Sequence, residues 1–155
     1  MEIQQIIEQL NMQPHPEGGY FVETYKSVVN VENSINSIAT VIYFLLPSGE
    51  KSTWHRIKND EFWFYHSGSP IIVHTIENGA YAETIVGNSV LAKQQPQFLV
   101  KGGVIFGASV LEENSYSLVS CVVVPGFEFK DFELFSQAEL VAQFPTLADK
   151  IALLH

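Results

Sequence analysis

The chain has one cysteine, few basic side chains and no long apolar run. Cys121 alone cannot form an internal disulfide, which fits a reducing compartment. Eight Lys and Arg against 17 Asp and Glu leave a net charge of −9. Such a surface has no footprint for a phosphate backbone or an anionic lipid face, so neither nucleic acid nor membrane is an expected partner. The longest apolar stretch, about nine residues from Ile38 to Leu46, is well short of the roughly 20 that cross a bilayer. The opening MEIQQIIEQL lacks the basic and apolar regions of a signal peptide, and a cytoplasmic location is expected. P-loop, GxGxxG, GxSxG and CxxC patterns are absent, which removes support for nucleotide hydrolysis, dinucleotide binding and serine hydrolase chemistry.

What is present is apolar and strand-forming. Hydrophobic residues make up 46% of the 155 and charged ones 16%, a balance that supports a core rather than disorder. Ile3, Ile6, Ile7 and Leu10 have the spacing of one helical face, which Asn11 and Pro14 end. The prolines and glycines of HPEGGYF, His15 to Phe21, then predict a fixed turn. From Tyr20 to about Val124 come short segments rich in Val, Ile, Tyr and Phe, separated by turns such as Asn78-Gly79, a type I′ hairpin signal. The pattern predicts an antiparallel sandwich or barrel, without the strand–helix alternation of a parallel sheet. Ser136 and Glu139 have the spacing of a capping box, so the chain is expected to close with helices. No repeat or linker interrupts the chain, and a single domain is expected over 1–155.

The segment Gly49 to Gly68 reads GEKSTWHRIKNDEFWFYHSG. Its spacing resembles the first motif of the cupins, with Gly49, His55, Glu61 and Gly68 in place and Ile57 where a second histidine is usual. The second motif resembles Lys101 to Phe106, where only Gly103 matches and Phe106 occupies the place of the third histidine. HPEGGYF, ETY (23–25), SxWHR (52–56), DExW (60–63), PQ (96–97) and CVVVPGFEFKDFEL (121–134) resemble one largely uncharacterised branch of that superfamily. Members of this branch are similar in fold to epimerases of the dTDP-4-dehydrorhamnose 3,5-epimerase type.

The resemblance implies an all-β fold, a double-stranded β-helix with its barrel over about 17–130, short terminal helices and a homodimer. It also implies a cavity that binds a small molecule, a sugar or sugar nucleotide among the candidates. Only two of four metal ligands remain, too few to fix a transition metal, so no cofactor is expected. A divalent metal at His55 and Glu61 is the minority reading.

The candidate catalytic residues are His55, Glu61 and Tyr65. His55 reads as a general base or as a hydrogen-bonded barrel histidine. Glu61, expected across a turn between paired strands, reads as its partner or as a structural ion pair at the rim. Trp63 and Tyr65 share the parity of Glu61 and are expected on its side of the sheet, either binding ligand or filling the core; His66 is out of phase. Tyr65 or Tyr25 would be the proton donor of an isomerase, epimerase or lyase. Glu23, Tyr25, Ser52, Trp63, Gln97, Phe106 and Phe129 complete the expected ligand-binding set. A non-enzymatic binding protein using the same cavity is the alternative. Cys121, in the apolar run SLVSCVVV, is expected to be a buried inert thiol.

Overall fold

A computed structural model describes residues 2–155. Helix α1, Glu2–Gln9, carries the isoleucine stripe, and Asn11 ends it in the left-handed region at φ 54°. Eleven strands follow: β1 Gln13–Pro14, β2 Tyr20–Lys26, β3 Thr40–Pro47, β4 Lys51–Ile57, β5 Asp60–Gly68, β6 Ile71–Glu77, β7 Ala80–Val86, β8 Gln97–Val100, β9 Ile105–Val110, β10 Tyr116–Val124 and β11 Phe132–Leu134. Helices α2, Gln137–Gln143, and α3, Ala148–Ile151, close the chain.

The strands form two sheets, in the orders β1-β2-β3-β10-β5-β8 and β11-β4-β9-β6-β7, with every named strand pairing antiparallel. Sheet hydrogen bonding therefore runs on to Leu134, past the expected barrel end near 130. Asn78 and Gly79, both at positive φ, make the two-residue turn of the β6–β7 hairpin, with Glu77 opposite Ala80. The capping box is formed: the Ser136 side chain accepts from the Glu139 amide and Glu139 accepts from the Ser136 amide.

Two apolar layers hold the sheets. Phe44, Leu46, Trp63, Val73, Phe106 and Val119 are buried in the layer between them. Trp54, Ile76, Ile105, Leu140, Ile151 and Leu154 form the second, where the C-terminal helices cover the outer face of the five-stranded sheet. Within that outer region His74 bridges Tyr81 and Ser109, each at 2.7 Å. No described helix is long and apolar enough to cross a membrane.

The strands carrying the motif do not pair with each other. β4 pairs with β9 and β11, whereas β5 pairs with β10 and β8. The tight turn at Lys58-Asn59 thus passes the chain from one sheet to the other. It sets His55 and Glu61 on opposite walls, which corrects the expectation of a hairpin between them.

Candidate functional site

The two sheets enclose a cavity of about 100 Å³. Its body is apolar, from Phe21, Ile42, Phe44 and Ile57, and its mouth is aromatic, with Phe127, Phe129 and Phe132. Five ionisable side chains with displaced pKa values line it: His15, Glu17, His55, Glu61 and Cys121.

Glu17 arrives on the HPEGGYF turn. Gly18, at φ 113°, lies so close to β4 that a Cβ would be 2.0 Å from the Lys51 carbonyl oxygen. Gly19, at φ 74°, would place a Cβ 2.7 Å from the Leu45 carbonyl oxygen. Only glycine permits both the dihedrals and the approach. The turn is then tied to β4, since the Thr53 amide donates to the Glu17 carbonyl at 2.9 Å. With the backbone pinned, the Glu17 carboxylate accepts from Ser52 Oγ at 2.9 Å and meets His55 Nε2 at 2.9 Å. Ser52 therefore orients Glu17 and is itself fully buried.

His55 has both ring nitrogens engaged. Nδ1 lies 2.7 Å from the Thr53 carbonyl oxygen, so it must carry hydrogen, and Nε2 faces Glu17. Burial alone would lower the pKa of His55, but the Glu17 charge and these two acceptors reverse that, and the net shift is upward. Burial would likewise raise Glu17, and the His55 charge and hydrogen bond, helped by His15 and Ser52, bring it below its usual value. The pair is a buried carboxylate–imidazolium couple. The Phe106 ring lies against that of His55, tilted, with 4.1 Å between centroids, and shields it. His55 thus offers no free lone pair for the general-base role expected of it.

Glu61 faces this couple from the other sheet. Burial, then the repulsion of Glu17, push its carboxyl up to about 8, although the His55 charge, Cys121 and Trp63 oppose the shift. It is protonated at neutral pH. Trp63 lies beside it, 1% exposed, and the indole Nε1–H has no hydrogen-bond partner among the described residues. His15 completes the group: burial lowers its pKa, and its Nδ1 accepts from the Glu17 amide at 3.1 Å, so the ring is neutral with its hydrogen on Nε2.

Of the residues expected from sequence, His55, Glu61, Glu23, Trp63 and Phe129 line the cavity, Glu23 and Phe129 at its exposed rim. The others lie elsewhere. A bulge in the β5–β10 register follows Tyr65, whose hydroxyl donates to the Gly68 carbonyl at 2.5 Å, away from the cavity. Tyr25 is 54% exposed at the end of β2, and Gln97 is exposed opposite Phe64. His66 bonds Ser120 on the outer face, as its parity predicted. Cys121 is buried in the cavity wall and its thiol is pushed well up by burial and by Glu61. Glu17 and His15 were missed, although their motif was visible. The one signal was an acid and an imidazole locked beside two adjacent glycines.

Few of the cavity's donors are free to ligate a metal. Ile57 and Phe106 supply no ligand atoms, the His55 nitrogens are both committed, and no three His, Cys, Asp or Glu among the described residues are grouped to hold an ion.

A closed two-sheet antiparallel barrel with its ionisable groups turned inward is the cupin architecture. The chain belongs to the Cupin_5 family of the cupin superfamily (DUF985), which it matches over residues 4–135. It is 36% identical to protein SO0799 of Shewanella oneidensis, with a TM-score of 0.92 over 97% of this chain and 95% of that one. A hypothetical protein of Leishmania major is 37% identical, with a TM-score of 0.89 over 97% and 96%. The uncharacterised protein YML079W of Saccharomyces cerevisiae is 30% identical over 146 residues, 83% of this chain and 73% of that one.

Proposed function

We propose that the chain is an acid–base enzyme of the isomerase or lyase class, working without a metal on a small metabolite held in the barrel. The observation that carries this reading is Glu61, a protonated carboxyl facing the buried Glu17–His55 couple across an apolar cavity. A carboxylic acid kept neutral near pH 7 can donate to a carbonyl oxygen as charge develops there. Glu17 is the ionised acceptor in the same space, so a proton taken from the carbon beside that carbonyl has a place to go. His55 holds the Glu17 charge and Ser52 its orientation. The proton returns to the same carbon on its other face or to a neighbour, which gives an epimer or an isomer with all atoms balanced.

The test is deuterium exchange. Wild-type protein in D2O should label the carbon next to the carbonyl of a bound substrate, and Glu61→Gln should slow this by about 10²-fold. Labelling no faster than buffer across a panel of small carbonyl metabolites would end the reading.

A passive binding protein is the second reading. It is favoured by the double engagement of Glu17, whose oxygens are held by Ser52 and His55. A homodimer is part of either reading: Phe62 and Phe64 stack at 6.3 Å on the outward face of β5, half-buried and available to a second copy, and light scattering would read the mass.

A further inference from the structure

The polar groups of the cavity are unevenly matched. Trp63 Nε1–H is a donor with no acceptor, at 1% exposure. It lies beside the Glu61 carboxyl, close enough to favour the charged form of that acid, without reaching hydrogen-bond geometry. Glu61 itself brings a carboxyl O–H, and His15 a ring N–H that no described side chain accepts. The acceptors are turned to other donors, since each Glu17 oxygen already holds one hydrogen bond, from Ser52 or His55, and the Thr53 carbonyl takes His55 Nδ1. A buried donor left unmatched is costly, so the missing piece is an oxygen that accepts.

Charge and size narrow it further. Glu17 and His55 cancel each other, no cation in the cavity is free, and Glu23 stands at the rim of a protein with net charge −9. An anion would meet repulsion on the way in and find no counter-charge inside. About 100 Å³ is smaller than a cavity of about 150 Å³ that accepts benzene, so a compact body of roughly four or five heavy atoms fits and a sugar nucleotide does not.

We propose that the cavity takes a small uncharged carbonyl compound, its oxygen accepting from Trp63 Nε1–H and from the Glu61 carboxyl while its apolar body lies against Phe21, Ile42 and Phe44. This rests on the acid–base reading for its purpose and on the unmatched donor for its chemistry. The two donors from one wall form the hole in which an enolate oxygen would be held.

The chain contains two tryptophans, and this supplies an internal control. Trp54 Nε1–H already donates to the Ile151 carbonyl at 2.9 Å, outside the cavity. In ¹H–¹⁵N spectra, cyclobutanone should move the Trp63 indole resonance downfield and leave that of Trp54 in place. Methylenecyclobutane, the same shape without the oxygen, should bind at least tenfold more weakly and leave the Trp63 proton near its free position. Trp63→Phe should reduce the ketone's advantage to threefold or less. Equal affinity for the ketone and the hydrocarbon would overturn the proposal, as would a preference for cyclopropanecarboxylate. Because the readout is binding, it stands apart from deuterium exchange: a shifted Trp63 resonance with no turnover would retire the enzyme and keep the ligand class.

Discussion

Glu17 Oε2 lies 2.9 Å from His55 Nε2, and both side chains are less than a tenth exposed. The carboxylate that charges the barrel histidine therefore comes from a loop and not from the neighbouring strand of the motif. Removing one member of a buried pair leaves the other uncompensated, which costs about 3–5 kcal/mol. Glu17→Gln should lower stability by that amount in urea unfolding. Since burial is the largest influence on His55 and lowers its pKa, the variant should also bring its titration below 6.5 in an NMR titration of the ring protons, where the wild type titrates above it. An unmoved His55 titration would mean that Glu17 does not govern its charge.

The same pair depends on backbone geometry at one glycine. A Cβ on Gly18 would lie 2.0 Å from the Lys51 carbonyl oxygen, at a φ of 113° that side chains rarely adopt. Gly103 has a similar φ of 88° with nothing within 4 Å of its Cβ position. Gly103→Ala should cost about 1 kcal/mol, the strain of the dihedral alone. Gly18→Ala should cost about 3 kcal/mol or more and loosen Glu17 from Ser52 and His55. Equal losses would show that contact with β4 is not what positions the turn.

Committed donors predict indifference to metals. Dialysis of purified protein against a chelator should leave the melting temperature unchanged, and elemental mass spectrometry should find no transition metal near one per chain. A fall in melting temperature restored by one divalent metal and abolished in His55→Ala would require the Glu17–His55 couple to open, and would replace the acid–base reading with a metal site.

Much of the fold was legible because its signals are local. The stripe at Ile3, Ile6, Ile7 and Leu10, the turn at Asn78-Gly79 and the box at Ser136 and Glu139 each act through a few neighbouring residues, and each forms as expected. The cupin resemblance supplied the rest of the architecture. The site was harder to read for three physical reasons. Parity along a strand tells which face a residue takes but not which sheet its strand joins, so His55 and Glu61 were set in one hairpin rather than on facing walls. Tyr65 keeps the parity of Glu61 and Trp63, opposite Val119, but parity does not tell how far along the strand the cavity reaches, and the Tyr65 hydroxyl is taken by the Gly68 carbonyl. Glu17 lies outside any strand, and its place follows from a close approach of backbones that no periodicity reveals.

Protons held by the cavity make stability depend on pH in a defined window. Glu61 titrates near 8 in the folded chain against 4.5 for an unperturbed glutamate, and His55 titrates above its ordinary 6.5. From about pH 6.5 upward the native protein keeps two protons that the unfolded chain releases, so stability falls as pH rises. Each such group contributes about 1.4 kcal/mol per pH unit, giving a decline of up to about 3 kcal/mol per unit toward pH 8. Below 6.5 the balance changes. His15 and His74 have depressed values, His74 down to about 4, so the unfolded chain there binds protons that the native one does not. Their contribution offsets that of Glu61 as pH falls. The stabilisation from Glu17, whose pKa is lowered, is present above 4.5 and is lost only at more acidic pH. Urea unfolding at about pH 6.5, 7.25 and 8 should therefore show a steep loss in the wild type. In Glu61→Gln, which cannot ionise, the slope should fall by about half and the variant should be the more stable protein at pH 8. A flat profile, or a slope the substitution leaves intact, would mean that Glu61 is already ionised in the folded state and cannot serve as the donor in the barrel.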